Sequence, residues 1–338
     1  MDDETRRTKY STADLVKFGL KMPLNELAVA LQTLIWDETS PVNPVPPGGG
    51  ILLFGPPNCG GEHLLDTVLD QIDCVQKFPL KWEALQHRPK PDYVKNVFQE
   101  ARDAKRAVIV IESFNDLLFS LHCREQILKE VYNLVTTVRA NVFIVVHATE
   151  PWTIGDKILT LFKHKIHIPG PTDEARATLL DTFLTEVRTE NELKKSYEMS
   201  NADLKLIVEL PSMRKATWKD LHDCSVDSFQ HAVRSYFGLS SDQDLDLINL
   251  DPGEEDVMKS SLIIATEHLR AAVGQMKIKN SSCNELEDLK KFKERWGIKV
   301  YSNPVVPVDY YPCEKKDKEK TGWESFLGFF AEAVELCF

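Results

Sequence analysis

The sequence predicts an α/β domain with a parallel sheet, followed by a smaller all-helical domain. Short apolar runs rich in β-branched residues alternate with helical patterns as far as Pro171, and only helical patterns follow. Strands that are apolar on both faces are typical of a parallel sheet covered by helices on both sides. We therefore expect a disordered N-terminus at residues 1–12, an α/β domain at 13–171, a helical lid domain at 172–298 and a C-terminal extension at 299–338.

Apolar periodicity places the individual elements. Strands are predicted at residues 51–54, 74–80 (weakly marked), 107–111, 142–146 and 165–168. Helices are predicted at residues 14–36 (one helix or two), 92–105, 124–139, 172–187, 202–210, 217–236 and 257–276. The acidic segment at 240–256 is expected to be a solvated loop inserted between two lid helices, with docking of a basic partner as the alternative.

Composition excludes several classes of protein. The chain has 338 residues, is 43% hydrophobic and 28% charged, and carries a formal net charge of −11. This balance is that of an ordinary soluble protein and argues against nonspecific binding to nucleic acid or anionic membranes. No apolar run approaches the roughly 18 residues that span a membrane. Seven scattered cysteines without a CxxC pair favour a reducing compartment, and no metal site is expected.

The segment GGGILLFGPPNCGGEHLL, residues 48–65, has the strand–loop–helix context of a phosphate-binding loop. A working loop ends in Gly-Lys-Ser/Thr, because the lysine contacts the β- and γ-phosphates and the hydroxyl holds Mg²⁺. This loop ends in Gly60, Gly61 and Glu62 instead. The candidate site is therefore the degenerate phosphate loop formed by Gly55, Pro56, Pro57, Asn58, Cys59, Gly60, Gly61 and Glu62.

Four segments in order resemble the AAA+ ATPase module, specifically the clade of katanin, spastin, fidgetin and the vacuolar-sorting ATPases. The segment ILLFGPPNCGG resembles the family's GVLLYGPPGTGKT, and VFQEARDAKRAVIVIESFNDLL resembles the family's second nucleotide motif. The segment ATEPWTIGDKILTLFKHKIHIPGPTDEAR resembles the sensor and arginine-finger region. HLRAAVGQMKIKNSSCNELEDLKKFKERWG resembles the last lid helix and its tail. The resemblance covers residues 13–298 and implies a P-loop NTPase-like sheet with a helical lid.

The resemblance also shows which catalytic groups are replaced. Gly61 aligns with the lysine, and Glu62 with the Ser/Thr; the carboxylate of Glu62 would either cap its own helix or compete with a phosphate for the helix N-terminus. Glu112 aligns with the metal-binding Asp, as a vestigial Mg²⁺ contact or simply a strand-end acid. Ser113 aligns with the catalytic Glu and cannot act as that base.

The remaining catalytic motifs are altered as well. The polar sensor becomes Thr149-Glu150, and the arginine run falls on Leu159-Thr160-Leu161. No arginine occurs between Arg139 and Arg176, so the chain has no arginine finger of the kind that assists a neighbour's nucleotide.

Two regions are open to more than one interpretation. A gapless alignment puts Gln86, His87 and Arg88 at the substrate-gripping loop of the family. With a short insertion Trp82 would serve there, unless it packs in the core. The apolar segment WESFLGFFAEAVELCF at 323–338 predicts an amphipathic helix that either folds back onto the protein or inserts into a partner's groove.

The function expected from these residues is that of a catalytically inactive AAA+ protein, acting as an interaction scaffold or a regulatory subunit. Its expected partners are proteins, either active AAA+ relatives or cytoskeletal proteins, with oligomerisation allowed. No cofactor is expected. ATP or ADP with Mg²⁺ is expected to bind only if residual nucleotide binding survives. The expected location is cytoplasmic, and association with the cytoskeleton or a nuclear location are the alternatives. The alternatives are a divergent ATPase that remodels microtubules or protein complexes, and a binding module in which Asn58, Cys59 and Glu62 hold a non-phosphate ligand.

Overall fold

The computed structural model describes residues 9–35, 50–72, 75–80, 92–119, 124–136, 142–194, 197, 199–239, 252–276 and 283–298. Several predictions fall outside these residues. They concern the first eight residues, the loop that contains Trp82, most of the acidic segment, and the extension at 299–338.

A five-stranded parallel sheet forms the centre of the α/β domain, as the apolar runs predict. Its strand order is β2-β3-β4-β1-β5, and every neighbouring pair is parallel. The strands are β1 Gly50–Phe54, β2 Gln76–Leu80, β3 Ala107–Ile111, β4 Val142–Ala148 and β5 Phe162–His167. The predicted α/β fold is confirmed. β5 begins three residues before the predicted start, since Phe162 already pairs with Gly50 beyond a register shift.

Thirteen α-helices and two 3₁₀ turns are present in the described part of the chain. In the first domain the helices are α1 Thr12–Lys17, α2 Lys21–Ile35, α3 Gly61–Leu69, α4 Tyr93–Asp103, α5 Phe114–Phe119, α6 Arg124–Thr136 and α7 Asp156–Leu159. After the sheet come α8 Asp173–Glu190, α9 Asn201–Val208, α10 Trp218–Phe237, α11 Pro252–Ser261, α12 Thr266–Gln275 and α13 Cys283–Arg295. The 3₁₀ turns are Pro151–Thr153 and Pro211–Met213.

Three expectations need correction. The helix predicted at residues 257–276 is two helices, because residues 262–264 have no helical structure. The acidic segment was expected to be a loop as far as residue 256, but its last residues form the first turns of α11, where acidic side chains favour the helix N-terminus. The N-terminus is ordered from Lys9, since Ser11 caps α1 and the Tyr10 side chain is 5% exposed.

The sheet buries its two faces in two separate cores, because alternate residues of a strand point to opposite faces. Ile51 and Leu53 of β1 belong to the first core, together with α1, α2, α3 and helices α8 to α12. Leu52 and Phe54 belong to the second core, with α4, α5 and α6. The lid helices α8 to α12 thus share one continuous core with the α/β domain.

Helix α13 lies on the other side of the sheet from the other lid helices. Phe292 is buried in the second core, with its ring centroid 5.3 Å from that of Phe54. At the end of the helix, the guanidinium of Arg295 donates to the carboxylate of Asp156. The segment assigned to the lid therefore ends with a helix that packs on the α/β domain.

Candidate functional site

The candidate site lies at the carboxyl edge of the sheet, where the loops after β1, β3 and β4 meet. Strand pairing sets this arrangement: Leu53 lies opposite His147, and Ile111 lies opposite Val146. In open parallel sheets, ligands bind outside the carboxyl ends of the strands. The sequence prediction that the loop after β1 and the residues after β3 form one site is thus consistent with the topology.

The loop after β1 turns sharply into α3. Asn58 and Gly60 both have left-handed backbone conformations, with φ of 56° and 84°. Asparagine tolerates this region better than most residues, and glycine adopts it at no steric cost. Helix α3 begins at Gly61, and the carbonyl of Gly60 accepts its first hydrogen bond from the N–H of Leu64 over 2.9 Å.

A pocket of about 520 Å³ opens above this loop. It brings together most of the residues that the sequence singled out: Asn58, Cys59, Gly60, Gly61, Glu62, Glu112 and Ser113. Gly55, Pro56 and Pro57 form the preceding turn and do not line the pocket. The two motifs recognised in the sequence therefore share one cavity.

The two acidic side chains of this set differ in burial. Glu62 is the second residue of α3 and is exposed, and among the described residues its carboxylate makes no hydrogen bond. Self-capping by Glu62 is therefore not seen. Glu112 is half-buried at the end of β3. Ser113 follows with φ of 50°, an uncommon conformation for a residue with a side chain.

Tyr10, His63, His147 and Trp218 are among the pocket residues that escaped the sequence analysis. Trp218 begins a predicted helix and Tyr10 lies in a segment expected to be disordered, so local pattern gave no reason to place either beside the loop. His147 stands at the end of β4, in a run that reads as an ordinary buried strand. Burial lowers the pKa of His147, with Glu62 acting in the opposite direction.

Two of the three lysines that line the pocket form ion pairs with carboxylates. Lys77 of β2 contacts Asp66 of α3 at 2.6 Å, and Lys9 contacts Glu186 of α8 at 2.8 Å. A third, Lys219, is exposed at the start of α10. The two lysines with ion pairs already have counter-charges, which reduces the positive potential available to an anionic ligand.

The sensor and finger positions are not among the residues that line the pocket. Thr149 and Glu150 follow β4, and Leu159 is buried at the end of α7 with Thr160 exposed next to it.

Burial raises the pKa of the Cys59 thiol to about 12, with Asp220 adding to the effect, so the thiol is a poor nucleophile. The described residues contain no cluster of three or more His, Cys, Asp or Glu suited to a metal ion. None of the described helices has the length and apolarity to cross a membrane.

Known proteins resemble the chain in sequence over about half of its length. It is 27% identical over 190 residues to cell division protein C of Sulfolobus acidocaldarius, covering 49% of this chain and 50% of that protein. It is 29% identical over 183 residues to mouse vacuolar protein sorting-associated protein 4B, covering 48% of this chain and 40% of the relative. A fidgetin-like protein 1 of Drosophila melanogaster is 22% identical over 179 residues, covering 49% of this chain and 32% of the relative. The match therefore spans half or less of each relative, and no protein-family model matches the chain.

Solved structures match over most of the chain. A katanin structure, described as the structural basis for katanin self-assembly, superposes with a TM-score of 0.61 at 16% identity, over 84% of this chain and 90% of that one. The AAA domain of FIGL-1 in complex with ADP gives a TM-score of 0.63 at 16% identity, over 86% and 92%. Identity this low establishes the fold alone. The chain has the AAA+ domain fold, and its sequence resemblance to the vacuolar-sorting, cell-division and fidgetin-like proteins of that clade is confirmed.

Proposed function

We propose that this protein is a catalytically inactive AAA+ protein that acts through protein contacts, as a scaffold or as a regulatory subunit of a microtubule-severing or related AAA+ assembly. The single observation that carries the proposal is the surroundings of Gly61. This residue stands where the resemblance puts the phosphate-binding lysine, and it is enclosed by side chains from β4 and from the end of β5.

The packing around Gly61 leaves little space for any side chain. A Cβ atom built on Gly61 would lie 2.8 Å from Cδ1 of Ile168 and 3.4 Å from Nε2 of His147. The shorter distance requires Ile168 to move, and the longer one is already tight. A lysine at position 61 would therefore require the Ile168 side chain to move, so the present packing around Gly61 suits a residue without a side chain.

The charges at the pocket also disfavour a triphosphate. Glu62 and Glu112 both line it, while Lys77 is held by Asp66. Phosphate groups bound at a helix N-terminus are stabilised by free N–H groups and by cationic side chains, and a carboxylate in the same turn opposes them electrostatically. The residues present do not fit ATP with Mg²⁺, and we derive no catalytic step through it.

Hydrolysis needs further groups that the sequence lacks. Ser113 replaces the carboxylate that would orient and activate water, and no arginine lies between residues 139 and 176 to stabilise the transferred phosphoryl group. In a divergent ATPase, Lys77 or Lys9 would bind a phosphate only at the expense of its ion pair with Asp66 or Glu186. Lys219 is the exposed lysine at the pocket and stands at the start of α10, outside the phosphate loop.

Protein contacts are the function that remains for the retained fold. The katanin structure to which this chain is similar concerns self-assembly, and the chain keeps both the sheet and the lid helices of such domains. A subunit that keeps the fold and loses hydrolysis can occupy a place in an assembly without consuming nucleotide. We propose that active AAA+ relatives or cytoskeletal proteins are its partners.

Two measurements test the proposal. Phosphate release from ATP by the full chain, with and without microtubules, is expected to equal the buffer blank, and calorimetric titration with ATP and ADP in Mg²⁺ is expected to show no binding tighter than the millimolar range. Co-expression with an active AAA+ relative from the same source is expected to give a mixed complex by size-exclusion chromatography. Hydrolysis abolished by Glu112→Ala would establish the divergent ATPase instead, and the absence of any mixed complex would count against a regulatory subunit.

A further inference from the structure

We propose that Trp218 is an intramolecular latch, which holds the lid helices against the phosphate-loop remnant. Its indole occupies a socket lined by the rings of Tyr10, Phe18 and His63 and by the backbone of Gly60. The inference depends only on these contacts and does not require that the proposed function is correct.

The socket surrounds the indole with rings from two other parts of the chain. The ring centroid of His63, on α3, lies 5.6 Å from that of Trp218 at an interplanar angle of 20°, a stacked geometry. Tyr10 and Phe18 approach edge-on, at 5.9 and 5.2 Å. Trp218 is 5% exposed as a result. Aromatic pairs of this kind add about 0.5–1.5 kcal/mol each beyond the burial of their surface.

The indole also lies directly against the loop. A Cβ atom built on Gly60 would meet three atoms of the Trp218 ring, the nearest Cζ2 at 2.7 Å. Only a glycine fits beneath the indole, and its φ of 84° independently favours glycine. The indole therefore occupies the space into which a side chain at position 60 would project, at one side of the pocket.

A backbone hydrogen bond holds the two elements in register. The N–H of Trp218, the first residue of α10, donates to the carbonyl of Asn58 over 3.0 Å. Thr217 and Asp220 form a capping box at the same helix end, which fixes its direction. The left-handed conformation of Asn58 accompanies this contact, so the shape of the loop and the position of the lid are linked.

The N-terminal segment closes the socket from the third side. The hydroxyl oxygen of Thr67 on α3 lies 3.2 Å from the carbonyl of Tyr10 and 2.8 Å from that of His63, so its one hydrogen is shared between the two. Lys9 contacts Glu186 on α8 at 2.8 Å. Residues 9 and 10 thus bind to both the α/β domain and the lid. The closed arrangement has its own aromatic and ionic contacts and needs no bound molecule to bridge the two parts.

Two consequences follow from this arrangement. A planar ring ligand cannot stack on the surface of Gly60 that the indole covers unless Trp218 leaves. Removal of the indole should loosen the lid over the loop and leave a ring-lined cavity that free indole can refill. Apolar cavities of this kind do bind small aromatic molecules.

The thiol of Cys59 provides a reporter within the loop. Cys59 is 3% exposed, and Cys224, which lies within the lid core on α10, is 1% exposed. Alkylation of a buried thiol requires local opening, so its rate measures the population of the open form. We expect Trp218→Ala to increase the iodoacetamide labelling rate of Cys59 at least tenfold in the absence of nucleotide, with Cys224 changed less than twofold. Saturating free indole should return the Cys59 rate to within threefold of the wild-type value.

Matched variants separate a latch from an ordinary core residue. Trp296→Ala removes an indole from the other face of the sheet and is expected to leave the Cys59 rate unchanged. Trp218→Phe keeps a ring and should increase the Cys59 labelling rate less than Trp218→Ala does. If the alanine variant does not fold, Trp218→Phe takes its place in the comparison. Equal labelling of Cys59 in wild type and variant overturns the latch, and so does a parallel increase at both cysteines that indole fails to reverse. ATP binding by the wild-type protein would contradict the proposed function without affecting these outcomes.

Discussion

The side-chain amide of Asn115 forms a reciprocal pair of hydrogen bonds with the backbone of Glu150. Its Nδ2 donates to the Glu150 carbonyl at 2.6 Å, and its Oδ1 accepts from the Glu150 N–H at 3.3 Å. Asn115 is the second residue of α5 and stands two residues after Ser113, and Glu150 follows β4. The pair therefore joins the two loops at which the sequence resemblance places the catalytic and sensor positions.

Asn115→Ala should lower the free energy of unfolding by about 1–3 kcal/mol. Asn115 is 5% exposed, and its loss leaves backbone groups of Glu150 and the hydroxyl of Thr153 without their present partner. Asn115→Asp should also destabilise, since a carboxylate cannot donate to the Glu150 carbonyl. Urea denaturation measures both variants. The exposed Asn96→Ala on α4 is the control, and a shift for Asn115→Ala no larger than that of the control would show that the pair is energetically irrelevant.

Gly61→Ala should destabilise the protein by about 1–3 kcal/mol, because the added methyl displaces Ile168 in a packed core. Helix propensity acts in the opposite direction, since alanine is preferred to glycine by up to about 1 kcal/mol within a helix. The matched control is Gly170→Ala, where nothing lies within 4 Å of the added atom. A thermal or urea denaturation in which Gly61→Ala is more stable than wild type would contradict the enclosure of this position.

The double variant Gly61→Lys with Glu62→Thr, which restores the loop's family residues, should not restore hydrolysis. Ser113 still cannot activate water, and the arginine finger is still missing. Phosphate release is the measurement, with the wild-type chain as the blank. Turnover by this variant alone would mean that the loop was the sole defect.

Acidification should destabilise the protein through its half-buried histidines. Burial lowers the pKa of His167 from 6.5 to about 3, with Lys293 of α13 adding a repulsive charge, and Phe54 of β1 packs against the ring. The unfolded chain then binds the proton more readily, so this stability is complete above about pH 6.5 and falls as the pH decreases towards 3. When the pH is lowered from 7 to 5, the free energy of unfolding should fall in both proteins. The fall should be about 1–2 kcal/mol smaller for His167→Leu than for wild type. Parallel pH profiles for the two proteins would refute this origin.

The ion pair between Lys77 and Asp66 should have a coupling energy of about 0.5–1 kcal/mol in a double-mutant cycle. Both side chains are partly shielded, with 23% and 35% of their surface exposed, and partial burial reduces solvent screening. The exposed pair of Lys290 and Glu294, at 4.0 Å, is the control and should give a coupling near zero. A coupling of zero for Lys77 and Asp66 would leave Lys77 available to an anionic ligand and would strengthen the ATPase alternative.

The sequence by itself determined the strands and the location of the site. Runs such as AVIVI at 107–111 and VFIVV at 142–146 have no polar face, and such runs fit only the covered interior of a parallel sheet. The loop motif placed Asn58 to Glu62 at the end of the first strand, and the resemblance paired them with Glu112 and Ser113. These are local or near-local signals, and the pocket contains every one of those residues.

Only the tertiary structure decided what surrounds that loop. The socket is formed by residues from distant parts of the chain, namely Tyr10, Phe18, His63 and Trp218. Local sequence periodicity does not predict that their rings are in contact. The enclosure of Gly61 by Ile168 and His147 depends likewise on the register of β1 between β4 and β5. The sequence specifies which side chains a loop lacks, whereas close packing between distant elements decides whether the vacated space stays open or is filled.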